Sequence, residues 1–187
     1  MNKLFTQLAA PLAAMQMMSG AAFGGALDGN KTIRLMAEDG DAVTIAEVAF
    51  SAEDGRTAYK IDWADEPFAD HFLSMRPFKC LESAAKHWCR VPYPYEIRRV
   101  VSTEDLTDLE YDLLFVWKDA NEYGINLWNG VYYILSIEGD RLVGHIHEMD
   151  MDMLGVPPDA GELRPIAEKH LEEGDPESHW LPRVVIE

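Results

Sequence analysis

The sequence predicts a mainly β or α+β fold, an antiparallel curved sheet or small β-barrel with short helices and a C-terminal helix. Three observations predict it. Asp39-Gly40 and Asp54-Gly55 separate segments of alternating polarity, as turns between strands do. Gly139-Asp140 separates two more such segments. The 187 residues are 48% hydrophobic, enough for one globular domain, which we assign to residues 27–187.

The first three predicted strands form an antiparallel meander between residues 32 and 63. Thr32–Met36 precedes the first Asp-Gly turn, and residues 42–50 lie between the two turns. In the third segment Tyr59, Ile61 and Trp63 alternate with polar or small residues, so one face of this sheet is expected to be buried.

Both cysteines lie in the next segment, Phe78–Tyr95, and two interpretations are open. In one straight helix the Cα atoms of Cys80 and Cys89 would lie about 13.5 Å apart, too far for a disulfide. A chain reversal near residues 83–85 would place the cysteines opposite each other, and Pro92 and Pro94 favour extended backbone just downstream. We predict a Cys80–Cys89 disulfide; the alternative is a pair of reduced, buried thiols in a cytosolic protein.

Residues 1–26 have the layout of a signal peptide. Lys3 precedes a long uncharged segment rich in apolar and small residues, with cleavage expected after Gly24 or Ala26. Pro11 and the high Ala/Gly content make the segment a poor membrane span. We therefore expect a periplasmic or secreted protein with no membrane span in the mature chain. The alternative is an N-terminal helix on a cytoplasmic protein.

The formal net charge of -17 limits the partners. Nucleic acids are bound through clusters of Lys and Arg, so this acidic chain is not expected to bind them. An isolated basic pair, Arg98 and Arg99, is a candidate for holding an anionic group. Basic proteins and cations are the natural electrostatic complements.

The middle of the chain predicts a short helix, a strand and a loop. Ser102 and the acids after it resemble a helix start. Alternate apolar residues over 109–117 predict a strand aimed at the core. The loop at 119–130 carries Tyr123 and Trp128, which are candidate ligand or interaction residues.

A hairpin of residues 131–138 and 141–149 carries the candidate metal ligands His145, His147 and Met149. His and Met recur at every second position up to Met153, so an extended strand would place them on one face. This composition suits copper, although no cofactor is otherwise expected. The alternatives are ordinary half-buried strand positions, or a strand that ends near Met149.

Two elements are predicted after the hairpin. Pro165 is placed to open a helix that continues to Glu173. Residues 182–187 predict a final edge strand.

These features favour a non-enzymatic, exported binding or protein-interaction domain whose partner is an unknown protein or a small apolar ligand. The sequence has no Gly-rich phosphate loop, Gly-x-Ser-x-Gly or His-Glu-x-x-His motif. Three alternatives stay open. They are a periplasmic copper- or metal-handling protein, a small hydrolase using His145 or His87 with a carboxylate, and an acidic inhibitor of a basic partner.

Overall fold

The computed structural model describes residues 25–53, 55–73 and 77–187. In these ranges the chain forms a 12-stranded sheet, with every pairing antiparallel, and a single short α-helix, α1 (Thr107–Asp112). The strands are β1 (Gly29–Met36), β2 (Ala42–Glu53), β3 (Arg56–Trp63), β4 (Ala69–Phe72), β5 (Pro77–Glu82), β6 (Lys86–Arg90), β7 (Val100–Val101), β8 (Phe115–Asp119), β9 (Gly130–Glu138), β10 (Arg141–Met149), β11 (Glu172–Glu173) and β12 (Arg183–Ile186). The mainly β prediction is confirmed.

The predicted meander and the predicted hairpin are both present. Strands β1, β2 and β3 pair in sequence order, and β9 pairs with β10 over its full length. Gly40 and Gly55 have φ values of 95° and 80°, which glycine adopts without the steric penalty that a Cβ would bring. The two Asp-Gly turns therefore terminate strands where the sequence predicted.

The sheet is open but strongly curled. Its order is β4-β5-β6-β8-β9-β10-β12-β1-β2-β3-β7, with β11 added beside β10. Trp63 on β3 packs edge-on against Phe115 on β8, with ring centroids 6.4 Å apart, although six steps of the sheet separate these strands. The concave face therefore wraps one main core, and the described strands do not close into the barrel that was the alternative prediction.

The disulfide between Cys80 and Cys89 is present, with the sulfur atoms 2.06 Å apart. The chain reverses after Glu82, and the two cysteines are directly opposite each other on β5 and β6. The Ser83 hydroxyl stabilises the reversal, because it donates to the Lys86 carbonyl and accepts from the Lys86 amide. Both cysteines are fully buried, in a small cluster with Val116.

Residues 109–114 form a helix and its exit, so the predicted strand is wrong for the first half of its range. Helix α1 occupies Thr107–Asp112, and β8 begins only at Phe115. Asp108 and Glu110 are buried with the apolar residues Leu109 and Tyr111, because each carboxylate has hydrogen-bond donors within the protein. The apparent alternation of buried and exposed positions is thus absent from the structure.

The helix predicted from Pro165 to Glu173 is not formed. Glu168–His170 makes a single 3-10 turn, and β11 then pairs with the end of β10. Only Ile166 in this segment is buried, so a helix here would have almost no apolar face to cover. The amide and carbonyl of Ile166 instead pair with the Tyr111 hydroxyl.

The final strand is present, but it is central and not at an edge. Strand β12 lies between β10 and β1 and pairs with both. Val184 and Ile186 are fully buried, which this central position explains. The last residues therefore join the two halves of the sheet.

The predicted signal segment, residues 1–26, lies outside the described residues except for Gly25 and Ala26. Ala26 packs into the main core. None of the helical segments in the described ranges has the length and apolarity that a membrane crossing requires.

Candidate functional site

An apolar cleft of about 500 Å³ lies between the start of β5, the segment after β6 and two 3-10 turns. Its volume is within the usual range of small-molecule sites. The described residues that line it are predominantly apolar: Pro77, Phe78, Lys79, Arg90, Val91, Pro92, Pro94, Tyr95, Leu127, Met151, Leu154 and Gly155.

One wall of the cleft is the Pro-Tyr-Pro-Tyr corner after β6. Pro92 and Pro94 line the cleft, while the tyrosines fasten the corner to the rest of the protein. Tyr93 donates a hydrogen bond to the Leu163 carbonyl at 2.9 Å, and Tyr95 donates to the Leu154 carbonyl at 2.8 Å. Because proline fixes φ, this wall keeps an extended shape without ladder hydrogen bonds.

The opposite wall consists of the 3-10 turns Leu127–Asn129 and Met151–Gly155. Asn126 caps the first turn by accepting from the Trp128 amide, and Asp150 caps the second by accepting from the Asp152 amide. The Trp128 indole donates to the Asp152 carboxylate at 3.0 Å, which joins the two turns. The two walls are therefore held by hydrogen bonds within the protein, both in the capped turns and between distant segments.

Exposed apolar side chains border this cleft. Phe72 is the β4 partner of Pro77, Trp128 follows Leu127, and Val156 follows Gly155. These three side chains are between 68% and 73% exposed. A concentration of exposed apolar residues around a concave surface is typical of a binding site.

Two cations border the cleft, and both have partners elsewhere. Lys79 forms an ion pair with Asp70 at 3.2 Å. The Arg90 guanidinium stacks over the Trp63 ring, 3.6 Å from its centroid. Burial lowers the pKa of Arg90 to about 10, against the opposing effect of Asp112, so Arg90 stays charged at neutral pH.

The two members of the predicted anion-binding pair, Arg98 and Arg99, have different surroundings. Arg99 has a positive φ of 54° and holds the Asp112 carboxylate through Nε at 3.0 Å. Arg98 is exposed and lines a separate polar cavity with Arg164, whose charge is already paired with Asp105 and Asp108. Anion binding by this pair stays a prediction.

The three predicted copper ligands have different environments. His145 is exposed and His147 is half-buried, with its Nδ1 atom 3.1 Å from the His145 carbonyl oxygen. Met149 is 4% exposed and packs in a second core cluster. Strand β10 ends at Met149, so the row does not continue in extended form to Met153. Copper binding stays a prediction for His145, His147 and Met149.

The predicted interaction residues Tyr123 and Trp128 are both largely exposed. Neither is among the described residues that line the cleft, although Trp128 follows the lining residue Leu127.

A second cluster, His71, Glu82 and His87, was not recognised as a unit in the sequence. One potential ligand atom from each side chain lies within 4.8 Å of the others. His71 Nε2 is 2.8 Å from Glu82 Oε1, and the two imidazole centroids are 4.7 Å apart. Part of this cluster follows from the sequence, because a hairpin that pairs Cys80 with Cys89 also pairs Glu82 with His87.

Comparison of the chain with protein-family profiles, with curated proteins and with solved structures finds no match.

Proposed function

We propose that this chain is an exported, non-enzymatic binding domain that takes a small, largely apolar ligand in the cleft described above. The observation that carries the proposal is the cleft itself, with its apolar lining and its exposed apolar border. Burial of apolar surface there supplies the affinity. The hydrogen bond from Tyr95 to Leu154 joins the two walls in the absence of a ligand. Less conformational entropy is therefore lost when a ligand binds.

The titratable groups at the cleft favour binding over catalysis. Among the described lining residues, they are Lys79, Arg90 and Tyr95. Lys79 and Arg90 have partners, and the Tyr95 hydroxyl donates a hydrogen bond to the Leu154 carbonyl. A hydrolase would need a general base such as His, Asp or Glu at this site, and the described lining residues include none of these.

Gly155 provides a direct test. A Cβ built at Gly155, which lines the cleft, meets no heavy atom within 4 Å, so the backbone accepts a side chain there and Gly155→Phe adds an aromatic ring at the cleft. We expect this variant to bind the fluorescent probe 8-anilinonaphthalene-1-sulfonate roughly tenfold more weakly than the wild type, measured by fluorescence titration.

Ala49→Phe is the matched control, because it adds the same ring on the exposed face of β2. It should bind the probe as the wild type does. Equal affinity of Gly155→Phe and the wild type would refute the cleft as the binding site.

Export is supported by the buried Cys80–Cys89 disulfide, since structural disulfides persist mainly outside the reducing cytosol. Ala26 packs in the core, so cleavage after Gly24 retains a structural residue that cleavage after Ala26 removes. Mass spectrometry of protein purified from its native host should show an N-terminus at Gly25 and oxidised cysteines. An intact Met1 on the native product would contradict export by a cleaved signal.

A further inference from the structure

The cluster of His71, Glu82 and His87 has the composition of a metal site. Two imidazoles and one carboxylate are a ligand set that zinc and related divalent transition ions use, with a further position left for water. The potential ligand atoms lie within 4.8 Å of one another. Ligands around a tetrahedral zinc ion lie about 3.3 Å apart, so only a modest closure is needed.

The hairpin holds two of the three ligands in a fixed relation. Glu82 and His87 are direct cross-strand partners on β5 and β6, between the disulfide on one side and the Ser83–Lys86 turn on the other. Side chains two residues apart share a face of a strand, so both groups are on the face that carries the disulfide. Phe78, two residues before Cys80, lines the apolar cleft and is the cross-strand partner of His71, so the cluster adjoins the cleft along β5.

His71 completes the set from the neighbouring strand β4. Its Nε2 atom lies 2.8 Å from Glu82 Oε1, and its side chain is 20% exposed against 53% for Glu82. The carboxylate can therefore reorient toward an ion at little steric cost. The exposed side of Glu82 also gives the ion a path from solvent to the cluster.

His87 provides an independent observation. Its Nδ1 atom is shielded from solvent and has no hydrogen-bond partner in the described part of the protein. A bound ion is one explanation for a buried polar group that lacks a protein partner.

The charges around the cluster are of both signs, since Glu82 belongs to it and Lys118 lies beside it. Lys118 is the cross-strand partner of His87, and its ammonium group donates to the Asp119 carbonyl at 2.8 Å. The formal charge of the whole chain is -17, which attracts cations to the surface. We propose that His71, Glu82 and His87 bind one divalent transition ion of the zinc class.

The test is a zinc titration of the chelator-treated full chain by isothermal calorimetry. We expect one zinc ion per chain in the wild type. Glu82→Gln and His71→Asn should each weaken binding at least tenfold, because each removes one of three protein ligands. His145→Asn, on β10, is the control and should bind zinc as the wild type does.

Folding defects and alternative sites are separated by two further measurements. Glu82 is exposed, so the thermal midpoint of Glu82→Gln without zinc should match that of the wild type. In long-range ¹H–¹⁵N spectra of the wild type, zinc should shift the side-chain signals of His71 and His87. Wild-type affinity in both cluster variants, or shifts at His145 and His147 instead, would overturn the proposal. Gly155→Phe should leave zinc binding unchanged, because none of the three proposed ligands is among the described residues that line the cleft.

Discussion

At the scale of single residues, Glu110 shows how a buried carboxylate stabilises this fold. It is 8% exposed, and its oxygens accept from the Tyr132 hydroxyl at 2.5 Å and from the Leu135 amide at 2.8 Å. Strand β9 pairs with β8 only at Gly130 and Val131, so the carboxylate of α1 satisfies a strand amide beyond that pairing. The helix is thereby attached to the sheet.

Glu110→Ala is expected to destabilise the protein by about 2–4 kcal/mol, because it leaves two buried donors without an acceptor. The free energy of unfolding from urea denaturation measures the effect. Glu47→Ala on the exposed side of β2 is the control and should stay within about 0.5 kcal/mol of the wild type. A loss as small as the control's would mean that water reaches both donors.

Glu110→Gln is expected to change how stability depends on pH. Burial raises the pKa of Glu110 above its ordinary value of 4.5, although the hydrogen bonds from Tyr132 and Leu135 oppose the rise. Because the folded protein holds the Glu110 proton more tightly than the unfolded chain, protonation of Glu110 stabilises the fold at a pH below the pKa of the unfolded chain. That stabilisation is lost as the pH rises through the pKa of the folded protein. From pH 4.5 upward the wild type should therefore lose stability relative to Glu110→Gln in parallel urea titrations. A constant difference between the two across this window would contradict the raised pKa.

At the scale of elements, the β5–β6 hairpin depends on its covalent link. The closed loop has a sequence separation of 9, for which the chain-entropy treatment gives a contribution of about 2.5–3 kcal/mol. The double variant Cys80→Ala/Cys89→Ala should lose about that much free energy of unfolding. Both sulfurs are fully buried, so dithiothreitol should leave the native disulfide intact unless denaturant is added. Rapid reduction without denaturant would indicate that the hairpin opens locally.

Period-two patterns predicted the strands of this fold where turn residues marked their ends. Gly40, Gly55 and Gly139 lie in the turns that join β1 to β2, β2 to β3 and β9 to β10. The same pattern failed at α1, where Asp108 and Glu110 are buried. Sequence alone does not show that Arg164, 56 residues after Asp108, supplies the compensating partner.

Long-range pairing also explains what was missed at the C-terminus and at the two sites. Strand β12 is central because it pairs with β1 and β10, and its sequence contains nothing that distinguishes this from an edge. The cleft combines segments from residue 77 to residue 155, so no local motif could reveal it. The pairing of Glu82 with His87 could be predicted from the disulfide, whereas the position of His71 depends on the pairing of β4 with β5.

At the scale of the whole molecule, the curl of the sheet brings strands from its two halves into contact. Trp63 on β3 lies between Phe115 of β8 and the Arg90 guanidinium of β6. The Nε atom of Arg90 is buried and has no hydrogen-bond partner among the described residues. Its guanidinium packs instead on the face of the Trp63 ring. This pair should therefore contribute to the closure of the concave face as well as to local packing.

A double-mutant cycle with Arg90→Met and Trp63→Leu measures this contribution. We expect a coupling energy of about 0.5–2 kcal/mol from urea denaturation, because the cation–π contact is between two half-buried side chains. Lys86 and Trp117 are the matched control pair, with Lys86 Nζ 3.8 Å from the ring centroid but on adjacent strands. Hydrogen exchange separates the two roles. Trp63→Leu should accelerate amide exchange in both β3 and β6, since it releases one half of the sheet from the other, whereas Trp117→Leu should affect only β6 and β8. If Arg90→Met and Trp63→Leu act additively, the curl is maintained by the core and not by this contact.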